Sequence, residues 1–115
     1  MLPIILLNWN GSDDTIHCIK SLEQQTFQDF HIYLIDNNSC QQEKDTLLNY
    51  CKDNRKITLI LNEENLGFGK AHNQVFQQYI FPKDYTYVFL LNNDTEVERS
   101  CLENLMLFAE EFEPD

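Results

Sequence analysis

Residues 92–98, "NNDTEVE", place two amides, three carboxylates and a hydroxyl directly behind the apolar side chains of Phe89, Leu90 and Leu91. Asp94, with amide oxygens beside it, suits a hard divalent cation, because Mg2+ or Mn2+ is commonly held by one or two carboxylates together with substrate phosphates. The same residues also make an ordinary Asn-Asp turn leading to a helix cap at Ser100. Glu96 and Glu98 read as solvated loop charges. Asn and Asp recur after three other apolar runs, at 8–10, 36–39 and 62–65. The stretch "ENLGFGKAHNQ" (64–74) adds Gly67 and Gly69, which let backbone approach a ligand, with Lys70 and a helix N-terminus near a phosphate. A flexible turn feeding a helix accounts for those glycines equally well. A dinucleotide fingerprint does not, since the third glycine is missing and the motif follows the third strand. His17, His31 and His72 have no metal-ligand spacing. Trp9 can stack on a base or pack against the fold.

These residues must be positioned by the elements around them. Residues 3–7, 30–36, 57–61 and 85–91 are apolar, partly β-branched runs that predict four strands. Ile16, Ile19 and Leu22 recur at helical spacing behind a predicted N-cap at Ser12, with Asp13 and Asp14 in the first turn. Ser39 with Gln42 and Ser100 with Glu103 fit capping boxes for helices carrying Leu47, Leu48 and Cys51, and Leu102, Leu105, Met106 and Ala109. Phe68, Ala71, Val75, Phe76 and Tyr79 mark another helix. Strand and helix thus alternate four times with short connections, which means an α/β sandwich with a mainly parallel sheet. Ligands of such sheets bind beyond the carboxyl ends of the strands. All four polar segments fall on that edge.

Bulk composition narrows the ligand. The 115 residues predict one domain, 1–115, with no internal repeat or linker. Eight Lys and Arg against nineteen Asp and Glu give a formal charge of -11, which repels nucleic acid. A small anion remains acceptable where a cation or backbone N–H groups neutralise it. The four cysteines form no C-x-x-C pair; reduced thiols in a cytoplasmic protein are the expectation, and a disulfide framework rests only on the even count. The opening "MLPIILLNWNG" has no basic region and is too short for a membrane span.

Taken together, "NWNG" with "CIKSLEQQTF", "IDNNS", "NEENLGFGKAHNQ" and "FLLNNDTEVE" resemble the family 2 glycosyltransferases, in particular their rhamnosyltransferase-like branch. The pieces stand in the family's order and cover almost the whole chain. The resemblance implies a GT-A fold, a nucleotide-binding α/β sandwich, here truncated to its N-terminal sugar-nucleotide-binding half. It implies that Asp94 binds the divalent metal, Mg or Mn. Asn92 stands where many relatives carry a first aspartate. Asn8 and Asn10 would belong to the base pocket, Asp36 would hold the base or ribose, and Gly67, Lys70 and Asn73 would lie along the ribose and diphosphate.

The implied activity is transfer of a hexosyl or rhamnosyl group from a nucleotide-diphospho-sugar donor to a glycan or cell-surface polysaccharide acceptor. Breaking the sugar–diphosphate bond builds negative charge on the diphosphate, which a cation at Asp94 would offset. The acceptor hydroxyl needs a general base, and no residue here is assignable to that role. The alternative is a non-catalytic nucleotide-binding module. A missing acceptor half would leave apolar surface for homo-oligomer formation, and peripheral membrane association is expected of the full-length enzyme.

Overall fold

In the computed structural model, residues 1–111 are described. The chain alternates β1 (Leu2–Asn8), α1 (Ser12–Glu23), β2 (Phe30–Asp36), α2 (Gln41–Cys51), β3 (Ile57–Leu61), α3 (Phe68–Val75), β4 (Phe89–Leu91) and α4 (Cys101–Glu111). A single π-helical stretch, Phe76–Ile80, continues α3, with Phe81 N–H donating to the Phe76 carbonyl at 2.8 Å. The helix expected through Tyr79 is therefore α-helical only to Val75.

All strand pairs are parallel, and the sheet order is β3-β2-β1-β4. The chain first builds outward from β1 to β3 and then returns to the other side of β1. That reversal is a switch point, and it opens a crevice at the carboxyl ends of β1 and β4. Right-handed crossovers then require helices on both faces. Side chains alternate accordingly. Ile4, Leu6, Ile32 and Leu34 pack with Cys18, Ile19, Leu22, Leu47 and Leu102 on one face, under α1, α2 and α4. Ile5, Tyr33, Ile35 and Ile60 pack with Ala71, Val75 and Ile80 on the other. Strands β1 and β2 are buried on both faces, which explains their unbroken apolar runs.

Two sequence expectations are corrected here. Strand β4 pairs only through Phe89, Leu90 and Leu91, against Ile4, Ile5 and Leu6, rather than from residue 85. Upstream, side-chain bonds hold the segment instead: Tyr85 Oη lies 2.9 Å from Tyr33 Oη, and Tyr87 Oη donates to the Ala109 carbonyl at 3.2 Å. Two of the three predicted serine caps also differ, whereas Ser100 stands directly before α4, its carbonyl accepting from Asn104 N–H at 3.0 Å. Gly11 and Cys40 occupy the N-cap positions of α1 and α2, without side-chain caps. The serine hydroxyls go to carboxylates: Ser12 to Glu43, Ser39 to Asp36 at 2.6 Å, and Ser100 to Glu98 at 2.9 Å. Carboxylates outnumber basic groups in this chain, so hydroxyl and amide donors take the place of cations. Among the described residues the ion pairs are Met1 N-terminus with Asp29 and His17 with Glu96, both exposed.

Candidate functional site

The carboxyl edge is built upward from a buried polar layer. Asp36, at the end of β2, is fully buried, and its carboxylate accepts three hydrogen bonds. These come from Asn8 Nδ2 at 2.9 Å, Ser39 Oγ at 2.6 Å and Ser39 N–H at 3.0 Å. Ser39 Oγ in turn accepts from Asn10 N–H at 2.8 Å, and Cys40 N–H donates to Asn10 Oδ1 at 2.8 Å. Asn10 adopts φ 51°, a left-handed conformation that Asn tolerates better than most residues. The loops after β1 and β2 are thus tied into one unit.

Asn37 does the same for the glycine loop. It is buried, its Nδ2 donates to the Gly67 carbonyl at 3.2 Å, and its Oδ1 accepts from Asn62 Nδ2 at 3.1 Å and Leu66 N–H at 3.2 Å. Gly67 sits at φ 79°, where a Cβ is strained, and α3 begins at the next residue. Gly69 differs: its backbone does not require glycine, and a Cβ there would meet nothing within 4 Å. Lys70 and Asn73 are exposed on α3. His72 is buried against Phe68, its Nδ1 2.7 Å from the Phe68 carbonyl, which assigns the proton to Nδ1.

After β4, the 92–95 turn closes with Thr95 N–H on the Asn92 carbonyl at 3.2 Å. Asn92 and Asp94 are exposed, whereas Asn93 turns inward and donates through Nδ2 to Thr15 Oγ1 at 2.9 Å. Beneath the turn, Cys18 Sγ lies 3.8 Å from the Asn92 carbonyl. Burial pushes its thiol up to about 11, with the Asp94 charge adding to the shift.

The structure therefore brings Asn8, Asn10, Asp36, Gly67, Asn92 and Asp94 to the ends of parallel strands or the loops behind them, with Lys70 and Asn73 on the first turns of α3. Asn8 and Asp36 lie beneath the edge; Asn10, Gly67, Lys70, Asn73, Asn92 and Asp94 face solvent. Sequence reading missed Thr15, Asn37 and Ser39 as parts of this layer, because their partners lie up to 78 residues away. It also missed Gln74. Its Oε1 is buried without a hydrogen-bond partner, in a groove of about 560 Å3 that Glu63, Glu64 and Leu66 also line. Another cleft, of about 370 Å3 beside Met1, Lys83 and Tyr85, lies at the amino end of β1, away from these loops.

Among the described residues no three His, Cys, Asp or Glu side chains converge as a metal cage. Asp94 is the exposed carboxylate on the 92–95 turn, with the exposed Asn92 amide beside it. That suits a cation completed by phosphate oxygens and water rather than an all-protein site.

The parallel sheet with alternating helices and its polar loops gathered at the switch point is an α/β fold of the GT-A type. Residues 4–115 match the sequence profile of Glycosyl transferase family 2. The chain belongs to that family. It is 32% identical over 90 residues to the bifunctional glycosyltransferase pgtA of Dictyostelium discoideum, covering 76% of this chain and 11% of that protein. It is 27% identical over 110 residues to a GalNAc(5)-diNAcBac-PP-undecaprenol beta-1,3-glucosyltransferase of Campylobacter jejuni, covering 96% of this chain and 35% of that protein. The fold matches S. aureus TarS 1-349 in complex with UDP-GlcNAc at a TM-score of 0.79 and 19% identity, over 96% of this chain and 31% of that one. A mannosyltransferase from Pyrobaculum calidifontis in complex with GDP-Man and Mn2+ matches at a TM-score of 0.68 and 13% identity, over 81% and 27%. The chain thus spans about a third or less of the curated relatives described here. No helix among the described residues is long and apolar enough to cross a membrane.

Proposed function

We propose that this chain is the donor-binding part of a glycosyltransferase, taking a nucleotide-diphospho-sugar at the carboxyl edge of its sheet. The observation that carries the reading is the division of labour at that edge. A buried layer of Asn8, Asp36, Asn37, Ser39 and Thr15 fixes the loops, while Asn10, the glycine loop, Asn92 and Asp94 remain exposed above it. Such preorganisation leaves little ordering cost at binding.

In this reading Asp36 and Asn8 shape the base pocket from below, and Asn10 with Trp9 borders it. The Gly67–Gly69 backbone and the free N–H groups at the start of α3 approach the diphosphate, with Lys70 supplying positive charge. Asp94 would hold Mg2+ or Mn2+, with Asn92 beside it contacting ribose or metal-bound water. When bound, the cation supplies Lewis-acid stabilisation of the leaving diphosphate. The presence of UDP-GlcNAc in TarS and of GDP-Man with Mn2+ in the Pyrobaculum enzyme supports a sugar-nucleotide ligand of this kind. Transfer of a hexosyl or rhamnosyl group to a glycan acceptor, as in the rhamnosyltransferase-like branch, completes the proposal.

The test is an NMR titration of the 15N-labelled chain with UDP-, GDP- and dTDP-sugars in the presence of Mg2+. Shifts concentrated at Asn10, residues 67–70 and residues 92–94 are expected. Shifts confined to the amino-end cleft around Lys83 and Tyr85, or none with any donor, would overturn it.

A further inference from the structure

The buried layer is not a set of separate contacts; it is one chain of hydrogen bonds with a fixed direction. A carboxylate only accepts, so Asn8 must turn its Nδ2 toward Asp36, as it does at 2.9 Å. The Asn8 Oδ1 then points the other way and must receive a proton. Thr15 supplies it, with Oγ1 donating at 2.6 Å. A hydroxyl has one hydrogen, so Thr15 Oγ1 can then only accept, and Asn93 must present Nδ2 to it, at 2.9 Å. The orientation of the Asn93 amide, on the 92–95 turn, is therefore dictated from Asp36 on a strand two places away in the sheet.

A second contact comes from the same helix. Cys18, one turn beyond Thr15 on α1, places Sγ 3.8 Å from the Asn92 carbonyl. Helix α1 thus holds the turn at two successive residues, while Asn92 and Asp94 stay exposed. Thr15 itself is completely buried, and among the described residues its hydroxyl makes no hydrogen bond beyond these two. It can neither touch a ligand nor be replaced by water.

We propose that Thr15 is a positioning residue, the junction through which the Asp36 carboxylate sets the 92–95 turn, so that the two ends of the site are ordered together. That those ends receive a nucleoside and a cation-bound diphosphate rests on the reading given above. Neither Thr15 nor Asn93 needs to contact the ligand for this role.

The test compares Thr15→Val, Thr15→Ser and Asn93→Ala. Valine keeps the shape of threonine and removes both the donor and the acceptor; serine keeps both. The first readout needs no ligand: hydrogen exchange of the Thr95 amide and the 15N shift of the Asn93 side-chain amide. Thr15→Val and Asn93→Ala should each speed Thr95 exchange by about tenfold, the weight of one net hydrogen bond. The Asn37 amide, which donates to the Asn8 carbonyl at 2.9 Å within the sheet edge, should stay protected in both. Thr15→Ser should restore the wild-type exchange and the wild-type Asn93 shift. Because Asn93 is only half-buried, its alanine variant keeps the comparison valid if Thr15→Val fails to fold.

The second readout is calorimetry with UDP, with and without Mn2+. Thr15→Val should lose about tenfold of the Mn2+-dependent gain in affinity and little of the Mn2+-independent part. Unchanged Thr95 exchange in both Thr15→Val and Asn93→Ala, or a serine variant as loose as the valine one, overturns the positioning role. A wild-type chain that binds no nucleotide overturns the reading of the site instead, and the exchange data then decide the role of Thr15 by themselves.

Discussion

Replacing Asp36 with alanine removes the acceptor at the centre of the polar layer, and the cost follows from what it leaves behind. Ser39 N–H and Ser39 Oγ–H lose their only acceptor, at 3.0 and 2.6 Å. Asn8 Nδ2 loses the shorter of its two contacts and keeps Ser39 Oγ at 3.3 Å. Each buried donor abandoned in this way costs about 1–3 kcal/mol. Relief from burying a carboxylate with no basic partner offsets part of the sum, leaving a net loss of about 3–5 kcal/mol. That is a large fraction of the roughly 5–15 kcal/mol that stabilises an ordinary domain. Asp36→Asn keeps one acceptor oxygen but turns an NH2 group toward the Ser39 N–H, so it should cost less, about 1–3 kcal/mol. Urea unfolding followed by circular dichroism measures both, read at constant m-value. An alanine variant within about 1 kcal/mol of wild type, with unchanged m, would refute the idea that this carboxylate organises the edge.

Three further outcomes separate structural from ligand-facing roles. Gly69→Ala should stabilise the free chain by about 0.5–1 kcal/mol, because its helical backbone is unstrained, while weakening nucleotide affinity; Gly67→Ala, at φ 79°, should instead destabilise by about 1–2 kcal/mol. Thermal melts and calorimetry on both variants check this. His31, whose pKa is lowered first by burial and then by the Lys83 charge, binds fewer protons folded than unfolded. Its contribution is therefore present above about pH 6.5 and is lost as pH falls through the folded value, so His31→Gln should flatten the urea midpoint between pH 7.5 and pH 5. Iodoacetamide near neutral pH should label exposed Cys40 first; Cys18 and Cys51, with thiols pushed up to about 11 by burial, should react only as the chain unfolds, as peptide mass mapping would show.

Much of the fold was legible because local chemistry and global topology agree. Leu2–Asn8 and Phe30–Asp36 are buried on both faces, so their apolar runs carry no competing signal. The polar residues that stop them are the same residues that form the edge. What stayed hidden depends on partners distant in sequence. Ser39 with Gln42 reads as a capping box, yet Ser39 bonds back to Asp36, and Ser12, read as an N-cap, meets Glu43, which only the fold brings near. Asp36 shows the same limit. The family resemblance implies a ligand contact there, and only the geometry shows its oxygens already engaged by Asn8 and Ser39. Thr15 lies inside an unremarkable helical stretch, and nothing about its type separates it from any buried threonine. The strand before Phe89 was overread because Tyr85 and Tyr87 look β-forming, while their hydroxyls bind outside the ladder.

In the proposed reading, Asp94 on the switch-point turn makes this edge a cation-assisted diphosphate site, and calorimetry with UDP on wild type and Asp94→Ala tests it, each with Mn2+ and with EDTA. Wild type should bind more tightly with Mn2+ than with EDTA. Asp94→Ala should lose most of that gain while keeping wild-type affinity in EDTA, because Asp94 is exposed and takes no part in the buried layer. Equal affinities in all four conditions would contradict the metal role and return Asp94 to a turn residue.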